Sequence, residues 1–301
     1  MAAPDPVQLS DRVYYLPGGV NMAIVRGEDD QAVLVDTGQD KEAGRTLRKA
    51  CETLGLAPVA IVNTHAHADH YGGNNYLTRN LNLPVYAPPF EASIMRDPYF
   101  EPVYLYSGAK PLRELTSKWL LAKPSPVDHL LKVGGLELAH TPLDILDTSG
   151  HAHVHYSVVV DDVLIAADAL FGPSVLEKYP LPFGQDIGRQ IESATLLAGT
   201  DVRVTLPGHG DPSDDLGALI DVNVAAFKRA ADTVADACDG ATTDDVLRRS
   251  CDTLGIELTD LPRYHLNRCV VLGYLEYLRE SGRVEVRLAD NRLLWHANSA
   301  A

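Results

Sequence analysis

The sequence predicts an α/β fold carrying a small, mainly helical C-terminal subdomain, and three observations predict it. Short apolar runs bounded by glycine and proline turns alternate with stretches of helical spacing through the first two thirds of the chain. A compact group of metal-type side chains follows directly on one of these runs, where a loop rests on a rigid support. From about Asp215 the spacing turns helical and closes on a hairpin signal, the outline of a winged-helix-like piece. The predicted division is a metal-binding catalytic domain over 1–214 and the subdomain over 215–301.

The elements follow in order. VYYL, MAIV and AVLVD read as strands, separated by Pro17-Gly18-Gly19, Gly27 to Asp30, and Gly38. Lys41 to Leu54 has helical spacing and meets Gly55, a residue suited to a helix C-terminus; the strand VAIVNT comes next. Gly72-Gly73-Asn74-Asn75 starts a further helix, and PVYAP is another short strand. Residues 86–130 differ in texture, with Tyr99, Phe100, Tyr104, Tyr106 and Trp119 around Ser107 to Pro111; they read equally as a lid or as a packed insertion. Strands resume with LELAH, YSVVV and VLIAAD, then a helix from about Ile187 to Ala198, the strand VRVTL and the turn PGHGD. In the last part Leu266, Val270, Gly273 and Tyr277 share one helical face, and VEVRL and RLLWHA flank Ala289-Asp290-Asn291 as a hairpin.

Composition excludes several classes. The 301 residues are 46% hydrophobic and 22% charged, as in soluble globular proteins. A formal charge of −15 repels a polyanionic partner such as nucleic acid. From Cys238 onward there are eight Arg, no Lys and ten acidic residues, so the subdomain lacks a basic stripe and reads as a packing or homodimerisation module. The most apolar stretch, VVVDDVLIAADAL, is broken by Asp161, Asp162 and Asp168, so no membrane span is expected. The opening MAAPDPVQLSDRVYYLPGG has no basic start or apolar leader, which predicts the cytoplasm. Cys51, Cys238, Cys251 and Cys269 are irregularly spaced and read as reduced thiols.

The hexapeptide HAHADH puts His65, His67, Asp69 and His70 into six positions. With 11 histidines in the chain, such a cluster arises by chance on the order of once in a thousand sequences of this kind. Extended backbone sends His65, His67 and Asp69 to one side, and the turn that follows swings His70 beside Asp69. Imidazole with carboxylate suits Zn²⁺, and also Fe or Mn, better than Ca²⁺ or Mg²⁺.

HAHADH after an apolar strand resembles the signature of the metallo-β-lactamase superfamily, and the resemblance covers most of the chain. It implies an αββα four-layer sandwich and a metal-dependent hydrolase. It also implies roles for Asp36 in LVDTG, which orients the metal loop, for His151 in SGHAHVH, for Asp168 in AADAL as a bridging acid, and for His209 in LPGHGD. Carried over, one metal takes His65, His67 and His151 and the other Asp69, His70 and His209, with Asp168 shared. The implied cofactor is a pair of Zn²⁺ ions, with Fe or Mn as alternatives. The other histidines, His129, His140, His153, His155, His265 and His296, read as structural, with His155 the best placed to orient a ligand.

The reaction implied is attack by a metal-bridging hydroxide on a small-molecule ester, thioester or lactone, with Asp69 orienting the nucleophile and relaying a proton. Departures narrow the substrate. The commonest β-lactamases of the superfamily carry Cys where this chain has Asp168, the lactonases carry Tyr where it has Phe171, and FGPSVLEKYP lacks the glutathione-contacting pattern of hydroxyacylglutathione hydrolases. The flavodiiron branch has Glu where His67 stands. Two alternatives stay open: a phosphodiesterase or ribonuclease, and a mononuclear iron persulfide dioxygenase.

Overall fold

The structure, a computed structural model, describes residues 4–298; the ends of the amino-terminal reading and of the 215–301 subdomain lie outside the described residues. Seven strands form one sheet: β1 (Val7–Gln8), β2 (Val13–Leu16), β3 (Met22–Arg26), β4 (Gln31–Val35), β5 (Ala57–Val62), β6 (Val85–Ala87) and β7 (His129–Leu130), in that order. Its first four strands are antiparallel, and from β4 to β7 the pairing is parallel. A second sheet takes β8 (Gly134–Leu138), β9 (Thr141–Asp147), β10 (Tyr156–Val160), β11 (Val163–Phe171) and β12 (Val204–His209), antiparallel except for the pair β11 and β12.

Side-chain alternation turns these sheets into four layers. Val13, Val25, Val33 and Val62 of the first sheet meet Ile145, Val158, Val163 and Leu206 of the second in one apolar cluster. The opposite face of the first sheet, with Leu16, Ile24 and Leu34, packs on Leu47 and Cys51 of α1 (Lys41–Leu54) and Leu77 of α3 (Asn74–Leu81); the one-turn helix α2 (Ala68–Tyr71) lies between these two in sequence. The opposite face of the second, with Leu164 and Ala166, packs on Ala194 of α7 (Ile187–Leu196) and on Leu219 and Ile220 of α8 (Leu216–Asp236). Helix, sheet, sheet, helix is the predicted αββα order.

Local chemistry explains the boundaries. Asp40 caps α1 by accepting from the N–H groups of Glu42 and Ala43, and Gly55 ends it at φ 69°, in the left-handed region where a Cβ is strained. Several strand readings shift. Asn63 and Thr64 lie beyond the end of β5, and Ala139 and His140 leave LELAH to form a turn with both φ values positive, 53° and 54°. PGH is strand rather than turn, because β12 runs on to His209. TPLDILD forms the unpredicted strand β9, with Thr141, Leu143 and Ile145 inward and Pro142 and Asp144 outward.

Residues 86–130 run from β6 to β7, and the chain between these strands is packed in part, with Tyr99, Phe100 and Trp119 exposed. This insertion contains α4 (Glu91–Arg96), α5 (Phe100–Leu105) and a 3-10 turn at Arg113–Thr116, and Leu105, Leu115 and Leu120 form an apolar cluster with Leu266 and Cys269 of the C-terminal part. The segment between β11 and α7 carries the short helix α6 (Pro173–Lys178). The C-terminal order is α8, β13 (Asp239–Ala241), α9 (Thr243–Leu254), α10 (Leu261–Glu280), β14 (Val284–Ala289) and β15 (Arg292–Ala297), with sheet order β13, β15, β14: the predicted winged-helix-like arrangement. Asp290 and Asn291 make the hairpin turn at φ 50° and 59°. The predicted face of α10 meets the rest of the chain at Gly273, where a Cβ would stand 3.0 Å from the carbonyl oxygen of Gly184. Its buried residues, Val270, Tyr274 and Leu278, join Phe171, Leu176 and Ile187 in a common core. No helix among the described residues is long and apolar enough to cross a membrane. The four cysteines are free thiols.

Candidate metal centre

Most of the site residues lie on or just after strands of the parallel pairs β4/β5 and β11/β12, and His151 lies on the loop between β9 and β10. Asp36 follows β4, the HAHADH loop follows β5, Asp168 lies in β11, and His209 ends β12. Two local devices aim Asp168. Ala167 has φ 46° at a register shift between β11 and β12, a bulge that redirects the next side chain. Opposite it stands Gly208, where a Cβ would fall 1.8 Å from Asp168 Oδ1, so only glycine leaves room for the carboxylate.

Two groups of side chains come together. His65, His67, His151 and Asp168 form one, and Asp69, His70 and His209 the other; within each, one ligand atom per residue lies within 4.8 Å of the rest. Asp168 joins them: its Oδ2 is 3.0 Å from His151 Nε2 and 3.5 Å from His209 Nε2, while its Oδ1 is 3.2 Å from His70 Nε2. Asp69 Oδ2 lies 3.5 Å from His209 Nε2.

The outward nitrogens fix the rings. Asp36 accepts from the backbone N–H of Thr64 at 2.9 Å, from the Thr64 hydroxyl at 2.8 Å and from His70 Nδ1 at 2.8 Å. Because the Thr64 hydroxyl donates to Asp36, its oxygen accepts from His65 Nδ1 at 3.0 Å. The carbonyl oxygens of Phe183 and Gly19 only accept, which assigns protons to Nδ1 of His151 at 3.3 Å and of His209 at 2.5 Å. In the neutral rings, four Nε2 lone pairs therefore point inward, joined by Nδ1 of His67, 3.0 Å from His65 Nε2 and 2.9 Å from His151 Nε2.

This arrangement fits a bound cation. His67 Nδ1 lies 3.0 Å from His65 Nε2 and 2.9 Å from His151 Nε2, so a cation among them would meet three ring nitrogens at once. His70 Nε2 and Asp168 Oδ1 are buried without a hydrogen-bond partner: they approach to 3.2 Å but are not aligned to bond. The electrostatics agree. Burial opposes charge on His70, yet the Asp168 and Asp36 carboxylates prevail and hold its pKa well above the imidazole range. Burial is likewise outweighed at His209, raised to about 9 by Asp168 and Asp69. His65 and His67 are held well below the usual value by burial and by neighbouring rings, which keeps their lone pairs available.

Several residues outside the two groups support the site. Asn21 donates its side-chain amide to the carbonyls of Pro207 at 2.9 Å and Gly210 at 2.7 Å, bracing the strand end that carries His209. His155, read as an orienting residue, accepts the N–H of Asp168 on Nε2 at 3.2 Å, so its Nδ1 donates to Thr148 Oγ1 at 2.8 Å. Burial pushes its pKa down to about 3, and it stays neutral. Phe183 packs edge-on against His67 and His151, with centroids 5.2 and 5.1 Å away, and Phe171 packs on His151 at 5.7 Å. The insertion adds two buried acids, Glu91 and Glu101. Glu101 Oε2 has no partner, and burial, with Asp69 and Glu91 nearby, drives its pKa well above the carboxylate range. Only their proximity in space marks these acids, and nothing in their local sequence does.

Comparison with known proteins gives the family and the fold. The family described as the metallo-beta-lactamase superfamily matches residues 15–209. The probable metallo-hydrolase YqgX of Bacillus subtilis is 29% identical over 191 residues, 62% of this chain and 84% of its own length. The probable metallo-hydrolase YflN of the same organism is 30% identical over 213 residues, 62% of this chain and 77% of its own. In fold, the chain is similar to the metallo-beta-lactamase family protein TTHA1429 of Thermus thermophilus, with TM-score 0.74 and 24% identity over 97% of this chain and 100% of that one. The B3 metallo-beta-lactamase BLEG-1 aligns with TM-score 0.56 and 23% identity over 71% of this chain and 99% of its own.

Proposed function

The chain belongs to the metallo-β-lactamase superfamily and is a metal-dependent hydrolase, and we propose that it cleaves a small ester, thioester or lactone with two Zn²⁺ ions bound. The observation that carries this reading is Asp168, within 3.0 to 3.5 Å of rings from both groups, where one carboxylate could serve an ion on either side. His65, His67 and His151 would hold one and Asp69, His70 and His209 the other. Bound there, the ions supply water activation at neutral pH and polarisation of the bond under attack.

The chain's own residues do the rest. Asp69, its side chain 34% exposed, stands where the site opens to solvent; it orients the attacking water and passes a proton to the leaving group. Thr64, Asp36, Phe183 and Gly19 hold the rings still, so the site is organised before substrate arrives. Phe171 and Phe183 offer apolar ring surface beside the histidines, suited to an acyl group. Phe171 brings no hydroxyl, which favours open-chain esters and thioesters over lactones. The acidic character of the chain argues against nucleic acid as substrate.

Metal analysis of the purified protein, with a panel of ester, thioester, lactone and phosphodiester substrates, tests the reading. Two zinc per chain and turnover of acyl esters or thioesters are expected. His67→Ala should lose one metal equivalent and nearly all hydrolysis; full turnover by that variant overturns the mechanism. One iron per chain with oxygen uptake selects the dioxygenase instead.

A further inference from the structure

Glu91 opens α4, the first helix of the insertion, and is 2% exposed. Its two carboxylate oxygens do separate work: Oε2 accepts the N–H of Ala66 at 3.0 Å, and Oε1 accepts the N–H of Val154 at 3.2 Å. Ala66 lies between His65 and His67, and Val154 is three residues beyond His151. One side chain therefore ties together the backbones of two loops that leave different sheets and carry one group of inward nitrogens. The residue before it adds a second hold, since the Phe90 ring packs edge-on against His153 with centroids 4.5 Å apart.

We propose that Glu91 is a positioning residue that sets the spacing of His65 and His67 against His151, so that the insertion governs how tightly this group holds its ion. The inference rests on reading those histidines as metal ligands. The chemistry of the side chain makes it specific. A carboxylate accepts on both oxygens, and hydrogen bonds to an ionised acceptor are the stronger kind. A carboxamide of the same shape has one oxygen; its NH₂ would face a backbone N–H, donor against donor. Filling space and holding both loops are thus separable. Glu91→Gln keeps the volume and releases one loop, and Glu91→Asp keeps the charge but is one methylene too short to span both.

The test is titration of metal-free, full-length protein with Zn²⁺ against a chromophoric chelator, for wild type, Glu91→Gln and Glu91→Asp, with thermal melting in parallel. Two equivalents are expected in each. In both variants one equivalent should weaken about 10- to 100-fold, as when residues that hold metal ligands are removed. Melting shows that each variant is folded at the temperature of the titration. A role in packing alone predicts that Gln binds like Glu; affinities within twofold of wild type for both equivalents overturn the proposal. Should Glu91→Gln not fold, Glu91→Asp alone decides on the same criterion. If wild type binds no zinc, the reading of the ligands falls; if wild type binds and Glu91→Gln matches it, the loop-spacing role alone falls.

Discussion

Asp36 Oδ2 lies 2.8 Å from Nδ1 of His70, and the opposite nitrogen of the same ring lies 3.2 Å from Asp168 Oδ1. The ring is thus held from behind by one carboxylate while it faces another. Asp36 has φ 57°, a left-handed conformation uncommon for a residue with a Cβ, and this directs its side chain back over the loop after β5.

Asp36→Asn replaces one acceptor oxygen with a donor and leaves either Thr64 or His70 facing it. Metal affinity should fall by about 10- to 100-fold. Chelator competition checks this, and unchanged affinity would remove Asp36 from the account of the site.

Gly208→Ala puts a methyl group where Asp168 Oδ1 now stands, 1.8 Å away. The expected result is displacement of Asp168, loss of metal from both groups and a stability cost of about 1–3 kcal/mol. Metal content and a chemical denaturation curve read the two effects separately.

Glu91 gives a pH dependence. Burial raises its pKa to about 7, against two backbone hydrogen bonds that lower it. In the unfolded chain it titrates near 4.5, so between these values the folded state binds more protons, and stability falls as pH rises through the window. Glu91→Gln removes this titration, so its melting temperature relative to wild type should be higher at pH 8 than at pH 5. Equal shifts at both pH values would contradict this.

Leu115 is fully buried in the cluster that joins the insertion to Leu266 of α10. Leu115→Ala should cost about 2–5 kcal/mol and speed amide exchange in 100–120 before it affects the sheets. Exchange mapped by mass spectrometry checks the order.

Features governed by neighbouring residues were readable in the sequence. The helix between Asp40 and Gly55, the Asp290-Asn291 hairpin and the HAHADH loop each carry their cause within a few positions. Features caused by distant partners were not. β9 escaped notice because Pro142 counts against a strand, the polar Thr141 points inward and Leu146 breaks the pattern, which leaves only Leu143, Asp144 and Ile145 in alternation. The strand character of Pro207 to His209 depends on β11 alongside and on Asn21. Glu91 lies amid aromatic residues with nothing local to show that Ala66 and Val154 wait for it. The same limit left lid and packed insertion equally readable, because the partner of Leu115 lies some 150 residues further along the chain.

The donors facing the centre are ring nitrogens and carboxylate oxygens, without a thiolate among them. On the ligand reading, such a set accepts zinc, iron and manganese alike, and it discriminates by intrinsic affinity rather than by softness. Metal supply then decides occupancy: protein made in iron-rich culture carries different ions from protein made with zinc in excess. An activity survey from one preparation describes that preparation's metal load, and chelation followed by defined reloading has to come before any assignment of substrate.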